Sequence, residues 1–132
     1  MSKVLCPCGS MIVYRQCCEP FIRGKALPAT AEALMRSRYS AFVTGAVAYL
    51  VDTRHPDFRR LDEAVGISAW MLEVTSWDGL DVLVSQEGEP SDTVGWVAFN
   101  VKFTQGNHSE MLHECSRFRK VNGRWYYECA ES

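Results

Sequence analysis

Ser116-Arg117-Phe118-Arg119-Lys120-Val121-Asn122-Gly123-Arg124-Trp125-Tyr126-Tyr127 decides the fold of this chain. Asn-Gly favours a two-residue type I′ turn, because both residues take positive φ at low cost, and apolar and charged residues alternate on either side of it. The stretch therefore reads as a hairpin in which paired residue numbers sum to 245. Gly106-Asn107 is a weaker turn signal of the same kind, with a sum of 213. Together the two registers place Val97, Phe99, Val101, Phe103, Leu112, Phe118, Trp125 and Tyr127 on one face, as a sheet covered on one side requires. The same arithmetic sets Glu114 and Ser116 among those apolar residues. It also sets Cys115 opposite Ala130 and Cys129 opposite Ser116, so these thiols are expected to point to opposite faces and stay unpaired.

Outward from the hairpin, strands are expected near 80–86, 94–104, 110–120 and 124–129 as an antiparallel meander. Residues 67–77 are ambiguous between a strand and the tail of a helix, although the change of period places the start of the sheet near Ile67. Helices should supply the cover. Thr30 is a good N-cap, Leu34, Met35, Arg38, Tyr39, Phe42 and Val43 recur at helical spacing, and Gly45 is a stop. A second helix is expected over Ala46 to Thr53, ending before His55-Pro56. A third is expected from a cap at Asp57 through Phe58, Leu61 and Val65. The class is α+β.

The chain has 132 residues, 47% of them hydrophobic, 23% charged, with a net charge of −2, which suits one folded domain with at most a small appendage. Charge is unevenly spread: residues 61–100 carry eight acids and no base. No 18-residue apolar run exists, and polar and Cys-rich chain follows Met1 before any leader-like apolar stretch. Membrane insertion is not expected, and the cytoplasm is the expected location.

Four of the six cysteines fall within the first 18 residues, as Cys6-Pro7-Cys8-Gly9-Ser10, Tyr14 and Cys17-Cys18. Four soft ligands at this spacing suit one Zn²⁺ per chain in a closed tetrahedral shell, which leaves no coordination position for a substrate and makes the metal structural. Gly9 permits the tight turn between Cys6 and Cys8 and their common ion. Thiol redox chemistry at Cys17-Cys18, an iron–sulfur cluster and Cu(I) are the alternatives. So few residues cannot bury enough apolar surface to fold alone, so metal binding would supply most of the folding free energy, on the order of 10 kcal/mol.

These residues resemble the SEC-C motif, a small zinc knuckle also found at the C-terminus of the preprotein translocase motor ATPase. In the family pattern Gly-Lys follows the serine, where this chain has Met11-Ile12. Leu34-Met35-Arg36-Ser37-Arg38-Tyr39-Ser40-Ala41-Phe42, Tyr49-Leu50, Thr53, His55-Pro56, Ser116-Arg117-Phe118 and Asn122 to Tyr127 resemble the YchJ-like family of uncharacterised bacterial proteins. The resemblance covers nearly the whole chain. It implies a cone like nuclear transport factor 2, three helices on a curved antiparallel sheet, over residues 26–132, with the knuckle over residues 1–25. The family pattern has Trp where Arg54 stands. Many members carry a second SEC-C motif at the C-terminus, and none is read here before Ser132, so a role that needs two knuckles is not expected.

Two functions from different classes follow. In the first, a zinc-binding adaptor, the knuckle docks on a protein partner through exposed Ile12, Val13 and Tyr14, and no catalytic residue is assigned. In the second, the cone holds a small ligand or substrate. Glu114 then serves as an acid/base or ligand-orienting group near Arg36 or Arg38, with Tyr39, His55, Trp77 and Ser116 as further lining. The plainer reading of Glu114 is a buried ion pair with a helix arginine, and of His55 a turn or cap residue. Arg117, Arg119, Lys120 and Arg124 beside Trp125 and Tyr126 are expected to pair across strands, and nucleic acid is not an expected partner.

Overall fold

Thr30 opens the helical layer. Its hydroxyl accepts a hydrogen bond from the Ala33 amide at 3.0 Å, and Gly45 closes the same helix in the left-handed conformation at φ 78°. The structure, a computed structural model, describes residues 4–131; Met1–Lys3, assigned above to the knuckle, and Ser132, assigned to the body, lie outside the described residues. Helix α1 is Glu19–Ile22, α2 is Ala31–Thr44, α3 is Val47–Asp52 and α4 is Glu63–Glu73, with 3-10 turns at Tyr14–Gln16 and Pro56–Phe58. Strands β1 (Ser76–Glu87), β2 (Val94–Gln105), β3 (His108–Val121) and β4 (Arg124–Ala130) form one antiparallel sheet in the order β1-β2-β3-β4. No described helix is long and apolar enough to cross a membrane.

The 213 sum holds along all of β2 and β3, from Gln105 opposite His108 to Val94 opposite Arg119. Val97, Val101, Phe103, Phe118 and Trp125 are buried against Leu34, Met35 and Tyr39 of α2, and Phe99, Leu112 and Tyr127 pack at the margin of that core. The 245 sum holds from Val121–Arg124 to Phe118–Tyr127 and then slips by one, because Glu128 is an extra residue in β4. Ser116 thus faces Ala130, and Cys129 faces Arg117. This corrects the expected placement of the two thiols: Cys115 and Cys129 share a face, and both are free. The bulge has an electrostatic rationale. It lets the buried Glu128 carboxylate accept from Arg117 Nε at 2.6 Å and from Arg119 Nε at 2.8 Å.

Two further expectations are corrected. The third helix is capped neither at Asp57 nor continuous through Leu61; Pro56–Phe58 is an isolated 3-10 turn, and α4 begins at Glu63. The sheet begins at Ser76 instead of near Ile67. In α4 the residues Glu63, Ile67 and Trp70 recur at i, i+4 and i+7 and face inward, but Val65, Ala69 and Leu72 make the outer face apolar too, which blurs the period. Two bulges in β1, at Asp78 and Leu83, bend the edge of the sheet around the helices.

The N-terminus of α2 meets the β1–β2 hairpin at unusually close range. Ala31 N–H donates to the Gly88 carbonyl at 2.9 Å, and a Cβ on Gly95 would lie 2.5 Å from the Gly88 Cα and 2.8 Å from its nitrogen. Both obstacles are backbone and cannot rotate away. Gly95→Ala is therefore expected to destabilise the chain by about 1–3 kcal/mol in denaturant unfolding, the range for overpacking, and an unchanged midpoint would contradict the close approach.

Candidate functional site

The knuckle is built on a miniature hairpin. Leu5 and Val13 pair antiparallel, Cys6 N–H donates to the Ile12 carbonyl at 2.8 Å, and Tyr14 N–H donates to Val4 at 2.9 Å. Its tip carries Cys6 and Cys8, with Gly9 at φ 83° turning the chain between them and Ser10. The 3-10 turn and α1 then deliver Cys17 and Cys18 from the other side, and Pro20 fits the first turn of α1, where its missing N–H costs nothing.

The four Sγ atoms lie within 4.8 Å of one another. Cys8–Cys17 is 3.7 Å and Cys17–Cys18 is 3.9 Å. A tetrahedral zinc site with Zn–S bonds of about 2.3 Å has sulfur–sulfur edges of about 3.8 Å, which these two edges match, and the bound of 4.8 Å on the rest leaves the four sulfurs within reach of one ion. Outer groups orient the ligands: the Ser10 hydroxyl is 3.0 Å from Cys17 Sγ, and the Ser40 hydroxyl of α2 is 3.3 Å from Cys6 Sγ. Within the cluster, hydrogen bonds from Cys18 and Cys6 hold the Cys8 thiol well below the ordinary thiol range. Burial pushes Cys17 up to about 11, and Cys18 is raised chiefly by its hydrogen bonds with Cys6 and Cys8. The Cys8 thiolate thus forms readily, whereas Cys17 and Cys18 hold their protons more tightly and ionise when a cation displaces them.

Where the related motif has glycine, Met11 sits at φ 67°, in the left-handed region. A non-glycine residue there costs roughly 1–2 kcal/mol, partly offset by the lower entropy of its unfolded chain. Met11→Gly is expected to stabilise the metal-loaded protein by about 0.5–1 kcal/mol, read as a higher thermal midpoint. A lower midpoint would show that the Met11 side chain contributes contacts that outweigh the backbone strain.

Of the residues expected to form a contact surface, Ile12 is 48% exposed. Val13 is half-buried in the Leu5 bridge, and Tyr14 packs against the core, where burial raises its hydroxyl pKa. The exposed apolar rim instead comprises Val4, Leu5, Met11 and Ile12.

A second feature lies beneath the helices, a cavity of about 240 Å³ between α2, α4 and the inner face of the sheet. Five of the seven residues expected to line a pocket do so: Arg38, Tyr39, Trp77, Glu114 and Ser116. Arg36 does not. It lies two positions from Arg38, on another face of α2, and donates to Glu32 at 3.0 Å and to the Cys8 carbonyl at 2.7 Å, which ties helix to knuckle. His55 does not line the cavity either. Its Nδ1 accepts from Asp57 N–H at 3.1 Å and its ring meets Phe58 and Tyr126 edge-on, so it is the cap of the 3-10 turn.

Glu114 makes no ion pair with either helix arginine; its Oε2 accepts from the Ser116 hydroxyl at 2.9 Å. Arg38 gives hydrogen bonds to the Leu50 carbonyl at 2.8 Å and the Thr53 hydroxyl at 2.6 Å, and burial lowers its pKa to about 10, leaving it a cation at neutral pH. Arg38 and Arg54 sit over the Tyr127 ring at 4.6 and 4.8 Å from its centroid, and Arg54 is paired with Glu63 at 3.1 Å. Sequence reading missed Arg54 and Glu63. The signal for Glu63 is its spacing to Ile67 and Trp70, visible only once 63–73 is read as a helix.

The basic residues of the last hairpin are engaged locally. Arg117 and Arg119 share Glu128, Lys120 Nζ donates to the Pro90 carbonyl, and Arg124 lies 5.2 Å from the Tyr126 ring centroid.

Comparison with known proteins places these features together. Residues 4–20 match the SEC-C motif, and residues 30–130 match the middle NTF2-like domain of YchJ. A UPF0225 protein of Geobacter sulfurreducens is 40% identical over 123 residues, covering 93% of this chain and 76% of its own length. One from Serratia proteamaculans is 42% identical over 125 residues, covering 93% and 80%. The solution structure of a SEC-C motif containing protein from Rhodopseudomonas palustris superposes with a TM-score of 0.88 at 38% identity over 98% of both chains. The crystal structure of a SEC-C motif containing protein from Psychrobacter arcticus gives 0.77 at 30% identity, over 95% of this chain and 80% of the other.

Proposed function

Since the chain belongs to the YchJ-like UPF0225 family, with a SEC-C motif ahead of an NTF2-like domain, we propose that it is a zinc-binding adaptor whose knuckle presents an apolar rim to a protein partner. The observation that carries the metal assignment is the sulfur geometry: four thiols within 4.8 Å of one another, two of their edges at 3.7 and 3.9 Å, close to the edge of an S4 zinc shell. A closed shell of four thiolates makes the metal structural, one ion per chain. The dianionic zinc–thiolate centre lies beside the Arg36 guanidinium, which donates to the Cys8 carbonyl. The adaptor role rests on the rim of Val4, Leu5, Met11 and Ile12, four apolar side chains exposed on one small unit. Six free cysteines suit a reducing compartment, and the cytoplasm is the proposed location.

Elemental analysis of the purified chain should give about one zinc per protein, and Cys17→Ser should abolish it. Iron, copper or no metal would remove the zinc assignment. Affinity capture with zinc-loaded protein should recover a discrete protein that Ile12→Asp loses while keeping its zinc; equal capture by the variant would remove the adaptor role.

The cavity favours a second reading, a small-ligand site with Glu114 as the orienting acceptor. The arrangement that supports it is the meeting of an aromatic wall with Arg38, Arg54, Glu63 and Glu114 in one cavity.

A further inference from the structure

The cavity is sharply divided in polarity. Tyr39, Phe42, Trp70 and Trp77 form an aromatic end, with Phe42, Trp70 and Trp77 in mutual edge or tilted contacts at 5.1–5.7 Å between ring centroids. Arg38, Arg54, Glu63, Glu114, Ser116 and Tyr127 form the other end. Two arginines against two glutamates leave that end neutral, but the charges are not all matched. Arg54 and Glu63 satisfy each other. Arg38 is 9% exposed and hydrogen-bonds only neutral oxygens, and Glu114 is met only by the Ser116 hydroxyl; among the described residues neither makes an ion pair.

A buried guanidinium on α2 and a half-buried carboxylate on β3, lining one cavity with no ion pair for either, are each relieved by an opposite charge brought in beside them. A simple anion would meet Arg38 but add repulsion at Glu114. A simple cation would do the reverse, beside two arginines. A molecule carrying both charges on adjacent atoms, with an apolar body, answers both and leaves the cavity neutral. The volume of about 240 Å³ equals ~8 waters of liquid, enough for one amino-acid side chain and its backbone.

We propose that the cavity binds a free hydrophobic α-amino acid, its carboxylate at Arg38, its ammonium at Glu114 and its side chain against Trp70 and Trp77. This rests on the reading of the cavity as a ligand site and specifies its ligand. Trp70 and Trp77 provide the signal.

The test is a tryptophan-fluorescence titration of the full metal-loaded chain with L-phenylalanine, 3-phenylpropionate, phenethylamine and glycine. L-phenylalanine should bind at least roughly tenfold more tightly than either singly charged analogue, because each analogue leaves one of the two charges unanswered, and glycine should be weaker still. Glu114→Gln should weaken L-phenylalanine and phenethylamine by roughly tenfold and strengthen 3-phenylpropionate, whose carboxylate no longer meets a like charge. Arg38→Gln should weaken L-phenylalanine and 3-phenylpropionate; where that variant fails to fold, the Glu114→Gln comparison decides. An analogue that binds as tightly as L-phenylalanine, or a Glu114→Gln variant of undiminished affinity for it, overturns the amino-acid assignment while keeping the cavity as a ligand site. No response to any of the four at millimolar concentration overturns both.

Discussion

Replacing Cys8 by serine, or removing the metal with a chelator, is expected to lower the melting temperature of the entire chain by on the order of 10 °C, not merely to unravel its first 20 residues. Cys6, Cys8 and Cys18 are buried in the same cluster as Leu34, Met35 and Tyr39, so the knuckle is one wall of the body's core. Arg36 and Ser40 of α2 reach into it, through the Cys8 carbonyl and Cys6 Sγ. Metal ligation contributes on the order of 10 kcal/mol to folding a unit of this kind. When that is withdrawn the body loses its contacts with the knuckle, about 3 kcal/mol for three buried thiols and two hydrogen bonds. For a chain of this length each kcal/mol moves the midpoint by roughly 3–4 °C. Scanning calorimetry with and without chelator checks this. A body transition at the same temperature in both would show that the knuckle is energetically separate.

Trp125→Ala should cost about 3–5 kcal/mol, a large share of the 5–15 kcal/mol that holds a typical domain together. The indole is 1% exposed and lies in the core beside Phe118 and Val97. Its Nε1–H donates to the Ala29 carbonyl at 3.1 Å, immediately before the Thr30 cap of α2. Truncation therefore opens a large cavity and also frees the entry of the helix that carries Arg36, Arg38 and Ser40. Urea unfolding followed by far-UV circular dichroism measures the loss. Trp125→Phe keeps most of the volume but drops the hydrogen bond, and should fall about 1 kcal/mol below the wild type for that bond plus a smaller cavity cost. Equal loss in the two variants would assign the effect to the hydrogen bond alone.

The parts of the fold and site that sequence reading reached are those fixed by local chemistry. Cys6, Cys8, Cys17 and Cys18 span 13 residues, and metal ligation needs little more than residue type and spacing. Asn122-Gly123 and Gly106-Asn107 set registers because a two-residue turn leaves only one pairing at its mouth. The slip at Glu128 is invisible from the turn, since it depends on a carboxylate reaching two arginines on the neighbouring strand. Helix α4 was obscured because its outer face is apolar as well as its inner one. Arg36 and Arg38 illustrate a different limit. Positions two apart on a helix lie roughly 200° around it and cannot face the same way, but only the placement of the knuckle, which draws Arg36 to the Cys8 carbonyl, decides which one turns to the cavity.

Most of this topology can assemble from neighbours in the chain. The knuckle, the α2–α3 corner and each hairpin of the meander join segments close in sequence, contacts that form quickly because little loop entropy is lost. Other joins span long stretches of chain: Trp125 Nε1–H donates to Ala29, Ala31 N–H donates to Gly88, and a short parallel bridge links Arg54 and Tyr127, where His55 N–H donates to Tyr127 and Tyr127 N–H donates to Thr53, both at 2.8 Å. It connects the first half of the chain to its last strand. The bridge fixes β4 against the end of α3 and sets the Tyr127 ring beside the Arg38 and Arg54 guanidiniums. The polar end of the cavity therefore exists only where the first half of the chain and its last strand have met.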